Sequence, residues 1–458
     1  MDQVLVDKKV LVVGAGESGL AAARLLVALK AMVTITDQKS ASELVEITPK
    51  FPQALEWRFG DQALRFYENQ DLIVISPGVP VDRPELVAAR AKGVEVIGEM
   101  ELGFRYQKLP IIAVTGSNGK TSVTSLTGQI LSQAFKEPQF VGGNIGNPLS
   151  NLALEFVQGH EVKAKWAVLE VSSFQLETIK FFKAQAAAFL NISPDHLDRH
   201  GDMAEYFRTK SRIFERQTRE DMSVISGNDE LLTLKATQGR RFVFAHGSRP
   251  QFGGYVSRVG ADDILRVAHG DKDLAEAKWS DYQLTGAHNQ ENVLAAVGLA
   301  MAAGVEPQAA LDLAKEFVAG DHRLKFVAEI DGVRFFDDSK GTNVGAVARA
   351  LDSFEDSVIL IAGGRDKGLD YSYLWSRVKR KVSALILLGE SREKIRQALG
   401  KVAKSYYVNS MDEAVKKAAS LAKPGEVVLL SPACASFDMY KNYKERGEKF
   451  VQAVESLT

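Results

Sequence analysis

Short apolar runs rich in β-branched residues alternate with longer stretches of helical period along most of the chain, which predicts α/β architecture. Val10–Val13, Val33–Thr36, Leu72–Ser76 and Val94–Ile97 read as strands of a first, parallel unit of about four strands. A polar stretch from Phe104 to Pro110 then leads into a new strand, Ile111–Thr115. Further strands are expected at Trp166–Val171, Ala187–Asn191, Ser223–Ser226 and Phe242–Ala245, followed by an Ala-rich helix over Asn289–Ala303. After Gly320, Asp331-Gly332 sits between apolar runs as a two-residue hairpin signal and opens a third unit. That unit continues through strands Val358–Ala362, Ala384–Leu388 and Val427–Ser431 and a helix over Met411–Leu421.

Composition narrows the function classes. The 458 residues are 45% hydrophobic and 25% charged, a globular balance with material for about three domains. Lys and Arg number 57 against 58 acids, so a net charge of -1 gives no electrostatic reason to expect nucleic acid or an anionic membrane as partner. The single cysteine, Cys434, excludes an intrachain disulfide and reads as a small buried hydrophobe. Met1–Lys9 lacks the pattern of a cleavable signal and no apolar run spans a bilayer, so the expectation is a soluble, cytoplasmic protein.

Two glycine-bearing motifs follow strands. In the first, Gly14-Ala15-Gly16-Glu17-Ser18-Gly19 opens a helical stretch, and Asp37 ends the next strand where a dinucleotide-binding protein places its ribose-binding acid. Alone, this favours a nicotinamide-dependent oxidoreductase, although about four strands suit a mononucleotide half. The second, Thr115-Gly116-Ser117-Asn118-Gly119-Lys120-Thr121-Ser122, is more specific. Successive backbone N–H groups there cradle ATP or GTP phosphates, Lys120 adds charge and the Thr121 hydroxyl suits Mg2+. Glu170, at the end of an apolar strand, and His196, in Asn191-Ile192-Ser193-Pro194-Asp195-His196-Leu197-Asp198, are candidates beside it, with Lys210 farther on. In the third unit, Asp338–Asn343, Gly363–Lys367 and Ser431–Ser436 all follow strands and are expected to share one carboxyl edge as an anion or carboxylate site.

Taken in order, these motifs, together with Gly142-Gly143-Asn144-Ile145-Gly146, Leu169–Leu176, His288-Asn289-Gln290-Glu291-Asn292 and His322-Arg323, resemble the Mur ligases almost end to end. Asp338–Asn343 and Ser431–Asp438 are similar to the D-glutamate-adding members. The resemblance implies three α/β domains: a Rossmann-like UDP-sugar domain (1–106), a central P-loop ATPase domain (107–318) and a doubly wound C-terminal amino-acid domain (319–458); if they share one active site, closure must bring ATP and amino acid together, and a hinge is expected near Ala319–Asp321. It implies an amide-forming ligase of peptidoglycan precursor synthesis, hence of cell wall, shape and division. ATP would phosphorylate UDP-N-acetylmuramoyl-L-alanine, and D-glutamate would attack the acyl phosphate.

Carried over residue by residue, Gly116, Ser117, Asn118, Gly119, Lys120, Thr121, Ser122, Asn289, Asn292, Arg323 and Asp338 would bind ATP. Thr121, Glu170, His196 and Lys210 would hold two Mg2+ ions, Lys210 as a carbamate, its placement resting on Tyr206 four residues earlier. Lys120, Glu170, His196 and Lys210 would be the catalytic set. Ser18, Asp37, Gln38, Lys39, Ser76, Asn144 and Ser172 would face the UDP substrate, and Lys340, Thr342, Lys367, Ser436 and Tyr443 D-glutamate. The expected partners are small molecules, and the expected state is a monomer. A nucleotide-gated binding module without chemistry is the remaining alternative.

Overall fold

The computed structural model describes residues 4–43, 55–60, 63–318 and 320–457. Residues 1–3 and Ala319, on which the leader reading and the hinge partly rest, lie outside them.

The first sheet is parallel, β3-β2-β1-β4-β5, built from β1 (Lys9–Val13), β2 (Met32–Asp37), β3 (Glu56–Phe59), β4 (Leu72–Ile75) and β5 (Glu95–Gly98). It has five strands rather than about four. The strand missed, Glu-Trp-Arg-Phe, lies at the sheet edge and is nowhere fully buried, so it carries no apolar run. The strand order reverses between β1 and β4, where Ser76 Oγ donates to Gly14 O at 3.1 Å.

The middle sheet has nine strands in the order β14-β13-β12-β11-β10-β9-β6-β8-β7. They are β6 (Ile111–Thr115), β7 (Phe140–Gly143), β8 (Ala167–Glu170), β9 (Ala186–Phe189), β10 (Met222–Ser226), β11 (Arg240–His246), β12 (Phe252–Val259), β13 (Asp262–His269) and β14 (Lys272–Lys278). β12 to β14 form an antiparallel meander that was not expected from the sequence. Its polar outer positions break up the hydrophobic signal, while Gly260 and Gly270, both at positive φ, begin its two-residue turns. β7 was also missed, because Phe140-Val141-Gly142-Gly143 is too short and glycine-rich to read as a strand. β6 is fully buried between β8 and β9, so its loop and theirs leave the sheet side by side.

The third sheet, β15-β16-β20-β17-β18-β19, comprises β15 (Lys325–Ile330), β16 (Val333–Asp337), β17 (Val358–Gly363), β18 (Val382–Leu388), β19 (Lys404–Tyr407) and β20 (Val427–Leu430). Asp331 and Gly332 both take positive φ in the hairpin turn, as their pairing predicts. The other pairs are parallel, with β20 between β16 and β17. The three loops picked out by sequence therefore leave adjacent strands at one edge. Half-exposed β19 is the strand missed here.

The first and middle units are joined through the helix Glu99–Tyr106. Its buried Glu101 accepts the N–H groups of Lys180, Phe181 and Phe182, and Glu99 accepts that of Ser150 at 2.7 Å. A buried carboxylate that receives several N–H groups is a strong tether between units.

Candidate active site

The chain leaves β6 through a loop that ends at Gly119, whose φ of 87° is open to glycine, and enters the helix Lys120–Phe135. A Cβ at Gly119 would stand 2.6 Å from Asn292 Oδ1, so glycine is also what lets the helix Ala287–Ala302 approach the loop. Lys120 folds back, its ammonium donating to Gly116 O at 2.8 Å and Ser117 O at 3.2 Å. Lys210 comes up from beneath: 1% exposed, it donates to the same Gly116 oxygen at 3.0 Å and lies over the Tyr206 ring. Thr121 Oγ1 donates to Glu170 Oε2 at 2.6 Å, and Asn144 Nδ2 to Glu170 Oε1 at 2.8 Å. Glu170 is buried, and no ion pair within 4 Å is formed by it among the described residues.

A cleft of about 280 Å³ opens above the loop, between the middle and third units. From the middle unit it is lined by Ser117 to Ser122, Asn144, Glu170, His196, Asn289 and Asn292. From the third come Arg323, Asp338, Lys340, Thr342 and Lys367. Lys340 also rests 3.9 Å over the Tyr443 ring, and Lys367 stands 3.8 Å from Asp195. Cations from two units and a buried carboxylate thus face one space, an arrangement suited to a polyanion.

The field inside the cleft displaces several groups. Burial holds the Lys120 amine below its ordinary value, and burial followed by the Lys120 charge holds Lys210 far below. Burial lowers Lys340 to about 8 and raises Asp338 to about 7. Burial also lowers His196, against the pull of Asp195, 3.5 Å away, so its imidazole is neutral at pH 7.

Thr121 Oγ1 and Glu170 offer adjacent hard oxygens, the donor type Mg2+ takes alongside phosphate oxygens. No group of three His, Cys, Asp or Glu side chains arranged for a metal occurs among the described residues. Lys210 and His196 form no hydrogen bond with each other; Lys210 points to the loop carbonyl instead.

The residues expected at the UDP end are dispersed. Asn144 joins the main cleft, while Asp37 and Gln38 line a separate hollow of about 70 Å³ with Gly14, Tyr67 and Arg83. Asp37 is already engaged, accepting from Ala15 N–H at 2.7 Å and Lys39 N–H at 2.9 Å. Ser76 lines a third, smaller hollow with Glu99 and Gln175, and Ser172 caps the short helix Ser173–Leu176. Ser18 sits in the first turn of the helix Glu17–Ala28, and Lys39 is exposed. Ser436 is buried outside the cleft lining, and Tyr443 reaches it through Lys340.

Several lining residues carried no assignment from sequence: Asn191, Asp195, Phe244, His288, Asn343 and Arg349. Asp195 and His288 lie in motifs that were read; the third unit adds Asn343 and Lys367 to Asp195 and brings Ser353 to His288. Arg349 left one signal, a single charged residue on the otherwise apolar Val344–Leu351 stretch.

Comparison with known proteins agrees with this geometry over nearly the whole chain. Residues 8–98 match the family model described as Mur ligase MurD-like, N-terminal domain; 114–300 match the Mur ligase middle domain, and 322–434 the Mur ligase glutamate ligase domain. The chain is 43% identical over 453 residues to the UDP-N-acetylmuramoylalanine--D-glutamate ligase of Acidobacterium capsulatum, covering 98% of this chain and 96% of that protein. It is 41% identical over 455 residues to the protein of the same name from Geotalea uraniireducens, covering 99% and 98%. The UDP-N-acetylmuramate-alanine ligase structure from Thermotoga maritima superposes with a TM-score of 0.60 at 19% identity, covering 98% of this chain and 100% of that one; it supports the fold.

Proposed function

The chain belongs to the Mur ligase family, and from that premise we propose that it joins D-glutamate to UDP-N-acetylmuramoyl-L-alanine at the expense of ATP, as a cytoplasmic, monomeric enzyme of peptidoglycan precursor synthesis. The observation that carries this reading is the single cleft in which the phosphate loop and Glu170 face Lys340, Thr342 and Lys367 of the neighbouring unit. A nucleotide site and an amino-acid site share one space. No helix among the described residues is long and apolar enough to cross a membrane.

A free carboxylate is a poor electrophile, so the reaction proceeds through an acyl phosphate: the alanyl carboxylate oxygen attacks the γ-phosphorus of ATP and ADP leaves. The D-glutamate amine then adds to the carbonyl carbon, and the tetrahedral intermediate collapses to the amide with loss of phosphate. Both steps build up negative charge, and this chain's task is to position and neutralise it. Gly116 to Ser122 cradle the phosphates, and Lys120 can exchange its backbone carbonyls for phosphate oxygens. Asn289 and Asn292 hold the base end, Arg323 and Asp338 close on the nucleotide, and Lys340 and Lys367 pair with the glutamate carboxylates. Thr121 and Glu170 would hold Mg2+, which supplies further charge neutralisation on the phosphates. His196 would contribute to a second ion. Burial, and then the Lys120 charge, push the Lys210 amine towards its neutral form, the form that adds to carbon dioxide, which supports a carbamate there.

We place the unit boundaries near residues 107 and 319. His322 and Leu324, at φ 64° and 48°, stand beside the second boundary and suit a hinge that closes the cleft and excludes water from the acyl phosphate. The engaged Asp37 carboxylate disfavours the oxidoreductase alternative, which also leaves Lys120 and Glu170 without a task. Phosphate release from ATP in the presence of UDP-N-acetylmuramoyl-L-alanine and D-glutamate tests the reading; release indifferent to D-glutamate overturns it.

A further inference from the structure

The helix Val344–Asp352 begins directly after the loop that carries Lys340 and Thr342, and it is fastened to the phosphate-loop side of the cleft along its length. Its N-cap, Asn343, accepts from Ala346 N–H at 2.8 Å while its amide donates to Asn118 Oδ1 at 3.2 Å and Asp195 Oδ2 at 3.0 Å. Arg349 donates to Asn191 Oδ1 at 3.1 Å, the same oxygen that accepts Asn118 N–H at 3.0 Å. Past the last turn, Ser353 Oγ meets His288 Nδ1 at 3.2 Å. Between these ties, Gly345 is pressed onto Ser193: a Cβ there would stand 2.2 Å from Ser193 Oγ and 2.7 Å from Ser193 Cβ. Ser193 is in turn fixed to the loop, its N–H donating to Ser117 Oγ at 3.0 Å. Ser117 and Asn118 of the nucleotide loop are therefore one contact from the start of the helix that follows the amino-acid loop.

We propose that Asn343, Gly345 and Arg349 are positioning residues that couple the phosphate loop to the amino-acid loop, with the seat of Gly345 on Ser193 setting the distance between them. The assignment of the two ligands rests on the function proposed above; the docking itself does not. General packing of two units would not require a glycine at the point of closest approach, nor would it direct an N-cap amide at Asn118 itself and a guanidinium at the Asn191 side chain that holds it. Because coupling is reciprocal, whatever orders Asn118 and Asn191 favours docking, and docking orders them in return.

The contact is tested with Gly345→Ala, Ser193→Gly and the two together in the full chain. Alanine is a better helix former than glycine, so the first substitution does not weaken its own helix. Small-angle scattering with ADP and Mg2+ reads docking without any turnover. The wild type is expected to match the docked arrangement, Gly345→Ala to give a larger radius of gyration, and the double variant to return towards the wild type. In turnover assays, Gly345→Ala and Arg349→Met are expected to raise KM for D-glutamate about tenfold, the scale of a lost charge-assisted contact, with the double variant recovering. Wild-type scattering and KM in Gly345→Ala, or no rescue by Ser193→Gly, would overturn the proposal. A wild-type chain that docks with ADP but releases no phosphate with D-glutamate would reject the ligase reading and leave the docking standing.

Discussion

Lys120 and Lys210 donate to one and the same acceptor, the Gly116 carbonyl, at 2.8 and 3.0 Å. Two lysine amines converge there on the phosphate-loop candidate; burial lowers the proton affinity of both, and the Lys120 charge lowers that of Lys210 further. Lys120 is half-buried at the cleft and Lys210 is buried beneath it. Replacing Lys120 with Met should lower kcat by about 10²- to 10³-fold, the usual scale for removing one preorganised charge stabiliser. Steady-state phosphate release would show it.

Lys210→Ala should lose activity that short carboxylates restore, since an added acid can occupy the place of a carbamate. Full activity without any additive would count against the modified lysine. Added acetate or formate, titrated against the rate, gives the readout.

Glu170→Gln keeps the shape that Thr121 and Asn144 hold but removes the negative charge. The Mg2+ concentration needed for half-maximal rate should rise by about tenfold, because one of two adjacent hard donors becomes neutral. A Mg2+ titration at saturating ATP checks this.

Glu99 lies away from the cleft, fully buried in the join between the first two units, and burial raises its carboxyl to about 7 although Ser150 N–H partly offsets this. The folded state then holds a proton that the unfolded chain releases near pH 4. Stability from this group is complete below that pH and is lost as pH rises towards 7. Glu99→Gln should flatten the fall of Tm between pH 5 and 8, measured by calorimetry on both chains.

Arg446 is 2% exposed and ties two loops of the amino-acid unit, donating to Ser339 O at 2.7 Å, Ser339 Oγ at 3.0 Å and Cys434 O at 3.0 Å. Arg446→Met leaves those acceptors buried without a donor, a cost of about 2–4 kcal/mol. Urea unfolding should report that loss, and KM for D-glutamate should rise with it.

Much of this site was legible in the order of residues because its parts are local. Thr115 to Ser122 carry their own turn chemistry, and the strand-loop-helix context expected for them is what the structure has. The three third-unit loops were readable because β16, β20 and β17 are neighbours and their loops leave at one edge. Cys434 is buried, as a small residue inside that layer, against Ser391 and Tyr371. What escaped is relational. Asp195 meets Asn343 and Lys367 across the cleft from another unit, and Arg349 meets Asn191 in the same way. Asp37 has the spacing of a ribose-binding acid, yet its carboxylate is spent on the turn's own N–H groups. Of the strands overlooked, Glu56–Phe59 and Lys404–Tyr407 are half-exposed edges whose composition does not separate them from loops.

The central claim is that one cleft couples ATP cleavage to amide formation with D-glutamate. Incubating the chain with ATP, Mg2+ and UDP-N-acetylmuramoyl-L-alanine, and adding D-glutamate, L-glutamate or no amino acid, tests it directly. Phosphate should appear in step with a new amide product with D-glutamate alone. Equal phosphate release in all three reactions, or none in any, would contradict it.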